Sequence, residues 1–330
     1  MINNKDKEGG SPAIARFGGL LRDYVVIIVL FAMILLFGIL QPSFLSWKNF
    51  GNILWQNSYM VVASIGMGIL MISGGVDLSA GFSISFSMCV TAASMVWWGL
   101  SIPIAILFGV VTNTLLSLLI GFITVKLKLH QMMVSLGTMS AYMGIAFIFT
   151  KSQAIYGLPK EFKVIGQGSL FRVIPIAALI MLAVVFLIGF VLRRTYFGRY
   201  LYAVGGNPEA ARLAGIKVNR IRVLASSLTG ALFGIAAVLL VSRVGSASAN
   251  MATDVMFSSI TACLLGGVTL EGGEGKVWGI VVGAFILGVL ANGMQLVGLG
   301  TYPQYIAKGV ILIAAMGFNE YQKQIRNKVK

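Results

Sequence analysis

Six polar side chains within long apolar stretches of this chain could contact a polar solute, and their chemistry is hydrogen bonding. Amide side chains both donate and accept hydrogen bonds, which suits the hydroxyl groups of a sugar, but the same groups also join neighbouring helices within a membrane. Asp77 and Ser79 lie in the glycine-rich stretch ISGGVDLSAG, where they could instead cap a helix that starts near residue 80. The candidates for a polar path are Gln56, Asn57, Asp77, Ser79, Asn292 and Gln295.

A second glycine-rich stretch, LGGVTLEGGEGKVWG at residues 265–279, repeats the Gly-Gly-Val, Leu and Gly of the first in the same register. This likeness suggests an internal repeat, although two helix turns of similar chemistry would also produce it. The stretch is not a Walker A sequence, because Leu270 occupies the position of the first glycine and Val277 replaces the serine or threonine. We therefore predict no catalytic residue, no ATP hydrolysis, and no metal or cofactor on this chain.

The stretch GGNPEAARLAGI at residues 205–216 predicts a short helix. Asn207 is a good N-cap, Pro208 fits the first helical turn, and Gly215 can end the helix. Two interpretations stay open, namely a surface connection between longer elements and a docking knob for a partner. The residues assigned to this segment are Gly205, Gly206, Asn207, Pro208, Glu209, Ala210, Ala211, Arg212 and Gly215.

The elements that must position these residues are helices in a membrane. The 330 residues are 58% hydrophobic and only 11% charged, whereas a soluble domain carries roughly 25% charged residues. Apolar runs of about 20 residues, the length that crosses a bilayer as a helix, recur along the whole chain. The predicted fold class is an all-α polytopic membrane protein with about ten transmembrane helices, some broken or re-entrant, at residues 24–41, 52–73, 80–99, 102–125, 131–150, 174–192, 223–241, 255–270, 277–297 and 304–319.

The formal net charge of +15 indicates membrane orientation and not a nucleic-acid surface. With the N-terminus inside, the cytoplasmic segments hold most of the lysine and arginine residues, and both termini are then cytoplasmic. Lys308 lies within the last span, where its side chain could extend to the interface. The predicted organisation is an N-terminal tail at 1–23, a transmembrane domain at 24–319 that contains a basic cytoplasmic loop at 193–222, and a C-terminal tail at 320–330.

The stretches SGGVDLSAG and AVGGNPEAARLAGIKVNRIR resemble the membrane permease subunits of bacterial monosaccharide ABC importers. These are the ribose, galactose and xylose group, with the related autoinducer-2 and nucleoside permeases. Further similar stretches are LSWKNFGNILWQNS at 45–58, YPQYIAKGVILIAA at 302–315 and the whole of 265–299. The resemblance therefore covers about residues 40–318.

The resemblance implies a multi-pass protein of the bacterial inner or plasma membrane. Its path for a monosaccharide-like solute would lie at the interface of two permease subunits, identical or different. It implies a cytoplasmic ABC ATPase, often with two nucleotide-binding domains in one polypeptide, which would bind the ATP and Mg²⁺. It also implies an extracytoplasmic sugar-binding protein that delivers the solute. Residues 205–216 would form the coupling segment against the ATPase.

The chain departs from this family at MFSSITACLLGG, where Ser258 occupies a position that is often acidic. Asp254 lies four residues earlier. This departure leaves open the solute and whether the two permeases of the dimer are identical. The alternative from another class is a secondary transporter that couples a small polar solute to an ion gradient.

Overall fold

A computed structural model describes residues 12–170 and 174–328, with side chains for residues 26–170 and 174–317. These ranges are mostly helical. The α-helices are α1 Pro12–Leu40, α2 Trp47–Ile72, α3 Ala80–Val96, α4 Ile102–Leu127, α5 Gln131–Thr150, α6 Lys160–Gln167, α7 Ile176–Arg194, α8 Tyr196–Gly206, α9 Pro208–Leu213, α10 Val218–Val244, α11 Val255–Leu265, α12 Val277–Leu296 and α13 Thr301–Lys328. A 3₁₀ turn, Pro42–Leu45, precedes α2, and the strands β1 Ser169–Leu170 and β2 Ile174–Pro175 pair antiparallel.

Six helices within the described residues are long and apolar enough to cross a membrane, namely α2, α4, α5, α7, α10 and α12. Shorter apolar helices are α3, α11 and the Val26–Leu40 part of α1. An all-α polytopic membrane protein is therefore confirmed. Each predicted span coincides with a helix, although α1 begins at Pro12 and α13 continues to Lys328, beyond the predicted bounds.

Helices α2 and α10 form the centre of the bundle, and most of their residues are buried. Helix α10 packs antiparallel to α4 through Gly230 and Gly234. A Cβ atom at Gly230 would lie 2.7 Å from the Asn113 carbonyl oxygen, and one at Gly234 would lie 2.6 Å from the Val110 Cα. Small residues therefore allow close backbone approach between these helices, as in other membrane bundles.

Helix α11 is short and follows an irregular segment that is partly buried within the bundle. Helix α11 has 11 residues, and at 1.5 Å per residue it is about 16 Å long, which is half a bilayer core. The irregular segment 245–254 before α11 is buried at Ala247 and Ala252, and the Ala252 N–H donates to Ser85 Oγ at 2.9 Å. Irregular backbone at membrane depth is tolerated when protein surrounds it in this way.

The two ends of the bundle carry different short elements. At one end, hereafter the α6 end, the Trp55 indole N–H donates to the Gly166 carbonyl of α6, and Ile155 bridges to Ala247. At the other end, hereafter the α9 end, α8 and α9 fill the segment between α7 and α10. The sequence predicts α9 but neither α6 nor α8. These two short amphipathic helices lie within stretches whose composition is typical of polar loops.

Candidate functional site

The segment 205–216 forms the short capped helix that the sequence predicts. The side-chain oxygen of Asn207 accepts a hydrogen bond from the Ala210 N–H at 2.9 Å, and Pro208 is the first helical residue. Gly215 follows the helix with φ at +83°, a left-handed conformation that glycine adopts without strain. Local sequence therefore determines both ends of α9.

Helix α9 presents a charged and apolar surface at the α9 end. Glu209 and Arg212 form an ion pair at 2.8 Å, with both side chains mostly exposed. Leu213 is 90% exposed, whereas Ala211 is buried against the rest of the bundle. A fixed helix with one anchored face and one free face is suited to contact a second protein.

Helix α8 ends in contact with both glycine-rich stretches. The Gly273 N–H donates to the Ile72 carbonyl at 2.9 Å, which joins the second stretch to the end of α2. A Cβ atom on Gly205 would overlap this same Ile72 carbonyl oxygen. Gly272 and Gly273 have φ of +92° and +75°. We call the contact among Ile72, Gly74, Gly205, Gly272 and Gly273 the glycine junction.

Tyr202 adds a second link between α8 and the later glycine-rich stretch. Its hydroxyl donates to the Gly275 carbonyl at 2.8 Å. Burial raises the pKa of the Tyr202 phenol, while nearby Arg193 lowers it. With a pKa above the usual value near 10, the phenol stays protonated and remains a donor at neutral pH. The sequence analysis did not identify Tyr202. The only sequence feature that connects this residue with the glycine junction is its three-residue spacing from Gly205 on α8.

Asp77 and Ser79 lie together at the start of α3, fully buried. The Ser79 N–H and hydroxyl both donate to Asp77 Oδ1, at 2.8 and 2.6 Å. Ser79 occupies the N-cap position of α3, but its side chain accepts no hydrogen bond from the helix. Asp77 therefore closes the turn before the helix and does not cap it, and within the described residues it forms no ion pair.

Gln56 and Asn57 line a polar cavity of about 130 Å³ between α2, α11, α12 and α13. We call this cavity the polar chamber. In its wall, Lys308 Nζ lies 3.3 Å from Asp254 Oδ2, so this lysine forms an ion pair. The chamber is lined by Gln56, Asn57, Tyr59, Met60, Asp254, Ser258, Leu287, Gly288, Ala291, Thr301, Gln304, Tyr305 and Lys308.

Asn292 and Gln295 lie apart from the chamber and from Asp77. Asn292 exchanges two hydrogen bonds with Asn49, at 2.8 and 3.0 Å, and both side chains are buried. This reciprocal pair joins α12 to α2, which is the helix-joining role of membrane amides. Gln295 is exposed near the end of α12. The six path candidates therefore occupy three separate regions and do not converge on one site.

Residues 49–316 match the family described as the permease component of the branched-chain amino acid transport system. The chain belongs to this family. It is 33% identical to a ribose import permease of Bacillus subtilis over 302 residues, 91% of this chain and 93% of that protein. It is 32% identical to an L-arabinose transport system permease of Escherichia coli K12 over 313 residues, 95% of each chain. No solved structure matches the chain.

The chain is thus a permease, the translocation subunit of an ABC importer. Such a subunit transports and does not catalyse a reaction, since a partner ATPase hydrolyses ATP. This permease is a multi-pass protein of the bacterial cell membrane, and it works with an ATPase subunit and a substrate-binding protein. Family membership decides between an ABC permease and the ion-coupled secondary transporter in favour of the permease.

Proposed function

We propose that this permease imports a monosaccharide-like solute. The relatives named above are a ribose permease and an L-arabinose permease, and each is matched over more than nine-tenths of its length. Amide and hydroxyl side chains line the polar chamber, a chemistry suited to sugar hydroxyls. An extracytoplasmic sugar-binding protein delivers the solute to the α6 end.

The permease crosses the membrane about ten times, with both termini in the cytoplasm. The ten spans are α1 to α5, α7 and α10 to α13, and the α9 end is the cytoplasmic end. Charge supports this orientation, because Arg193, Arg194 and Arg199 lie on the α9 end together with the later basic residues of 193–222. The tails at 1–23 and 320–330 flank a permease domain at 24–319.

The segment 193–222 couples the permease to its ATPase, and the glycine junction is the observation that carries this proposal. Helix α9 is exposed, while α8 ends directly against the two glycine-rich stretches at the ends of α2 and α11. A displacement of α9 therefore reaches the breaks after α2 and α11 through direct contacts between backbone segments. Among the residues that the structure describes, no side chain lies between these segments.

Two copies of a permease, or this permease and a different one, enclose the translocation path. The ATPase binds ATP and Mg²⁺, often through two nucleotide-binding domains in one polypeptide, and this chain holds no cofactor. ATP binding closes the ATPase pair, moves both α9 helices, and switches the access of the path between the two sides of the membrane.

A double charge reversal tests the docking of α9. In Glu209→Lys with Arg212→Glu, the ion pair across one helical turn is retained in reversed order, while each reversed charge opposes the helix dipole by about 0.3–1 kcal/mol. The charges offered to a partner are inverted. We expect co-purification of the ATPase subunit to fall at least about tenfold, a 1.4 kcal/mol loss, while the permease stays in the membrane.

The matched control is Lys160→Glu with Glu161→Lys. These adjacent exposed residues lie on α6, at the opposite end of the bundle. Their reversal should leave co-purification unchanged. Normal recovery of the ATPase with the α9 variant would contradict the docking role.

A further inference from the structure

We propose that the polar chamber holds an uncharged, hydroxyl-rich solute part-way through the membrane, as a station on the translocation path. The proposal rests on the proposed function, because it names the place where this permease contacts the imported solute. It assigns Ser258, Asp254 and Lys308 to that contact, together with Asn57.

The chamber extends from the middle of α2 and α12 to Thr301, the first residue of α13. Asn57 is near the middle of α2, and Gly288, which faces it, is near the middle of α12. Helix α11 begins at Val255, directly after the chamber residue Asp254. Helices that are discontinuous within the membrane expose backbone and side-chain polar groups to a transported molecule. The chamber therefore connects the interior of the bundle with the end at which α13 begins.

Two residues of the chamber wall each have a polar atom with no hydrogen-bond partner among the residues that the structure describes. These are Asn57 Nδ2 and Ser258 Oγ, and both residues are only 2% exposed. A buried polar group without a partner destabilises a protein, so such groups are normally satisfied by protein or by a bound molecule. The Asn57 amide nitrogen donates a hydrogen bond, and the Ser258 hydroxyl both donates and accepts one. A hydroxyl group of a solute can therefore pair with both.

The charges of the chamber indicate a neutral solute. Lys308 and Asp254 neutralise each other at 3.3 Å, so the wall offers charged hydrogen-bonding groups but no net charge to an ion. An unpaired charge within a membrane would be costly and would favour an ionic ligand of opposite sign. The rings of Tyr59 and Tyr305 complete the wall with apolar surface, as in most sites for small polar molecules.

The chamber is also large enough. Its volume of about 130 Å³ is roughly ten times the ~10–15 Å³ that one buried water requires. A single water would leave most of the space empty, whereas a small ring with several hydroxyl groups would contact the amide, the serine and the ion pair together.

The first test removes the unpaired Ser258 hydroxyl through Ser258→Ala. It uses the complete importer, reconstituted with its ATPase and binding protein. Four labelled sugars are assayed, namely D-ribose, L-arabinose, D-xylose and D-galactose. ATP-dependent uptake of the sugar that the wild type transports should fall about two- to tenfold, which corresponds to the loss of one hydrogen bond. The thermal midpoint should not fall, because no bond within the protein is lost. The control is Ser259→Ala, whose hydroxyl bonds to the Met256 carbonyl at 2.9 Å and lies outside the chamber; its uptake should equal that of the wild type.

If Ser258→Ala takes up the sugar as fast as the wild type, the proposal that the chamber holds the solute is overturned, while the proposed function is unaffected. A loss of uptake together with a lower thermal midpoint would assign Ser258 to folding and would also overturn it. Absence of ATP-dependent uptake of all four sugars by the wild type would overturn the proposed solute class, and this inference with it.

The second test measures access. Ser258→Cys should react with a small methanethiosulfonate reagent in the assembled importer, and the transported sugar should slow that reaction. Ser259→Cys on the core side of α11 should not react, and the native thiols of Cys89 and Cys263 are buried. An unreactive Ser258→Cys, as lipid packed over the chamber would produce, would overturn the proposal.

Discussion

Gly205 lies where α8 touches the end of α2, and no side chain fits there. Its position would bring a Cβ atom into the Ile72 carbonyl oxygen, which already accepts the Gly273 N–H. Neighbouring Gly206 has more room, since its nearest atom would be the Gly273 Cα at 4.0 Å. Of these two adjacent glycines, therefore, packing requires a residue without a side chain at Gly205 and not at Gly206.

Gly205→Ala tests this difference. In an open helix, alanine would be favoured over glycine by up to about 1 kcal/mol, but overpacking against backbone costs about 1–3 kcal/mol. We expect the clash to dominate, so that the thermal midpoint and ATP-dependent uptake both fall. Gly206→Ala is the control and should match or exceed the wild type in stability. Equal behaviour of the two variants would contradict the tight junction.

At the scale of elements, the short break between α2 and α3 is stabilised by its own side chains. Asp77 accepts two hydrogen bonds from Ser79, and the Leu78 N–H donates to Ser135 Oγ of α5 at 3.0 Å. These bonds satisfy backbone groups that would otherwise be buried and unpaired. The break is therefore an ordered turn, and the acid supplies an acceptor oxygen within it.

Two substitutions at Asp77 separate its acceptor oxygen from its charge. Asp77→Asn keeps an oxygen for the Ser79 N–H, whereas Asp77→Ala leaves that N–H buried without a partner. We expect Asp77→Ala to lower the free energy of unfolding by about 1–3 kcal/mol, and Asp77→Asn to lower it by less. Thermal unfolding in detergent measures both. If the two variants lose equal stability, the charge itself and not the hydrogen bonds would be the stabilising feature.

Helix α9 was predictable from sequence and α8 was not, for a physical reason. The ends of α9 depend on local chemistry, namely the Asn207 side chain and the left-handed Gly215. Helix α8 instead depends on tertiary packing, because its buried residues are Gly198, Leu201, Val204 and Gly205, two of which are glycines with little helix propensity.

At the scale of the whole molecule, orientation is the property that connects every proposal above. Cysteines placed at the two ends can report it, since the native Cys89 and Cys263 are buried. In intact cells that produce the permease without its ATPase, a membrane-impermeant maleimide should label Lys160→Cys on α6 but not Leu213→Cys on α9. Leu213→Cys should become labelled after permeabilisation. The reverse pattern would place α9 outside and would exclude docking to a cytoplasmic ATPase.

The sequence by itself determined the membrane class, the positions of the apolar helices and the bounds of α9, because apolar run length and capping chemistry are local properties. Only the tertiary structure decided which polar groups meet. Asp254 pairs with Lys308 across 54 residues, Asn49 with Asn292 across 243, and Ile72 with Gly273 through a backbone hydrogen bond. Such pairs depend on which helix faces pack together, and hydrophobic patterns that are apolar all round the helix do not encode those faces.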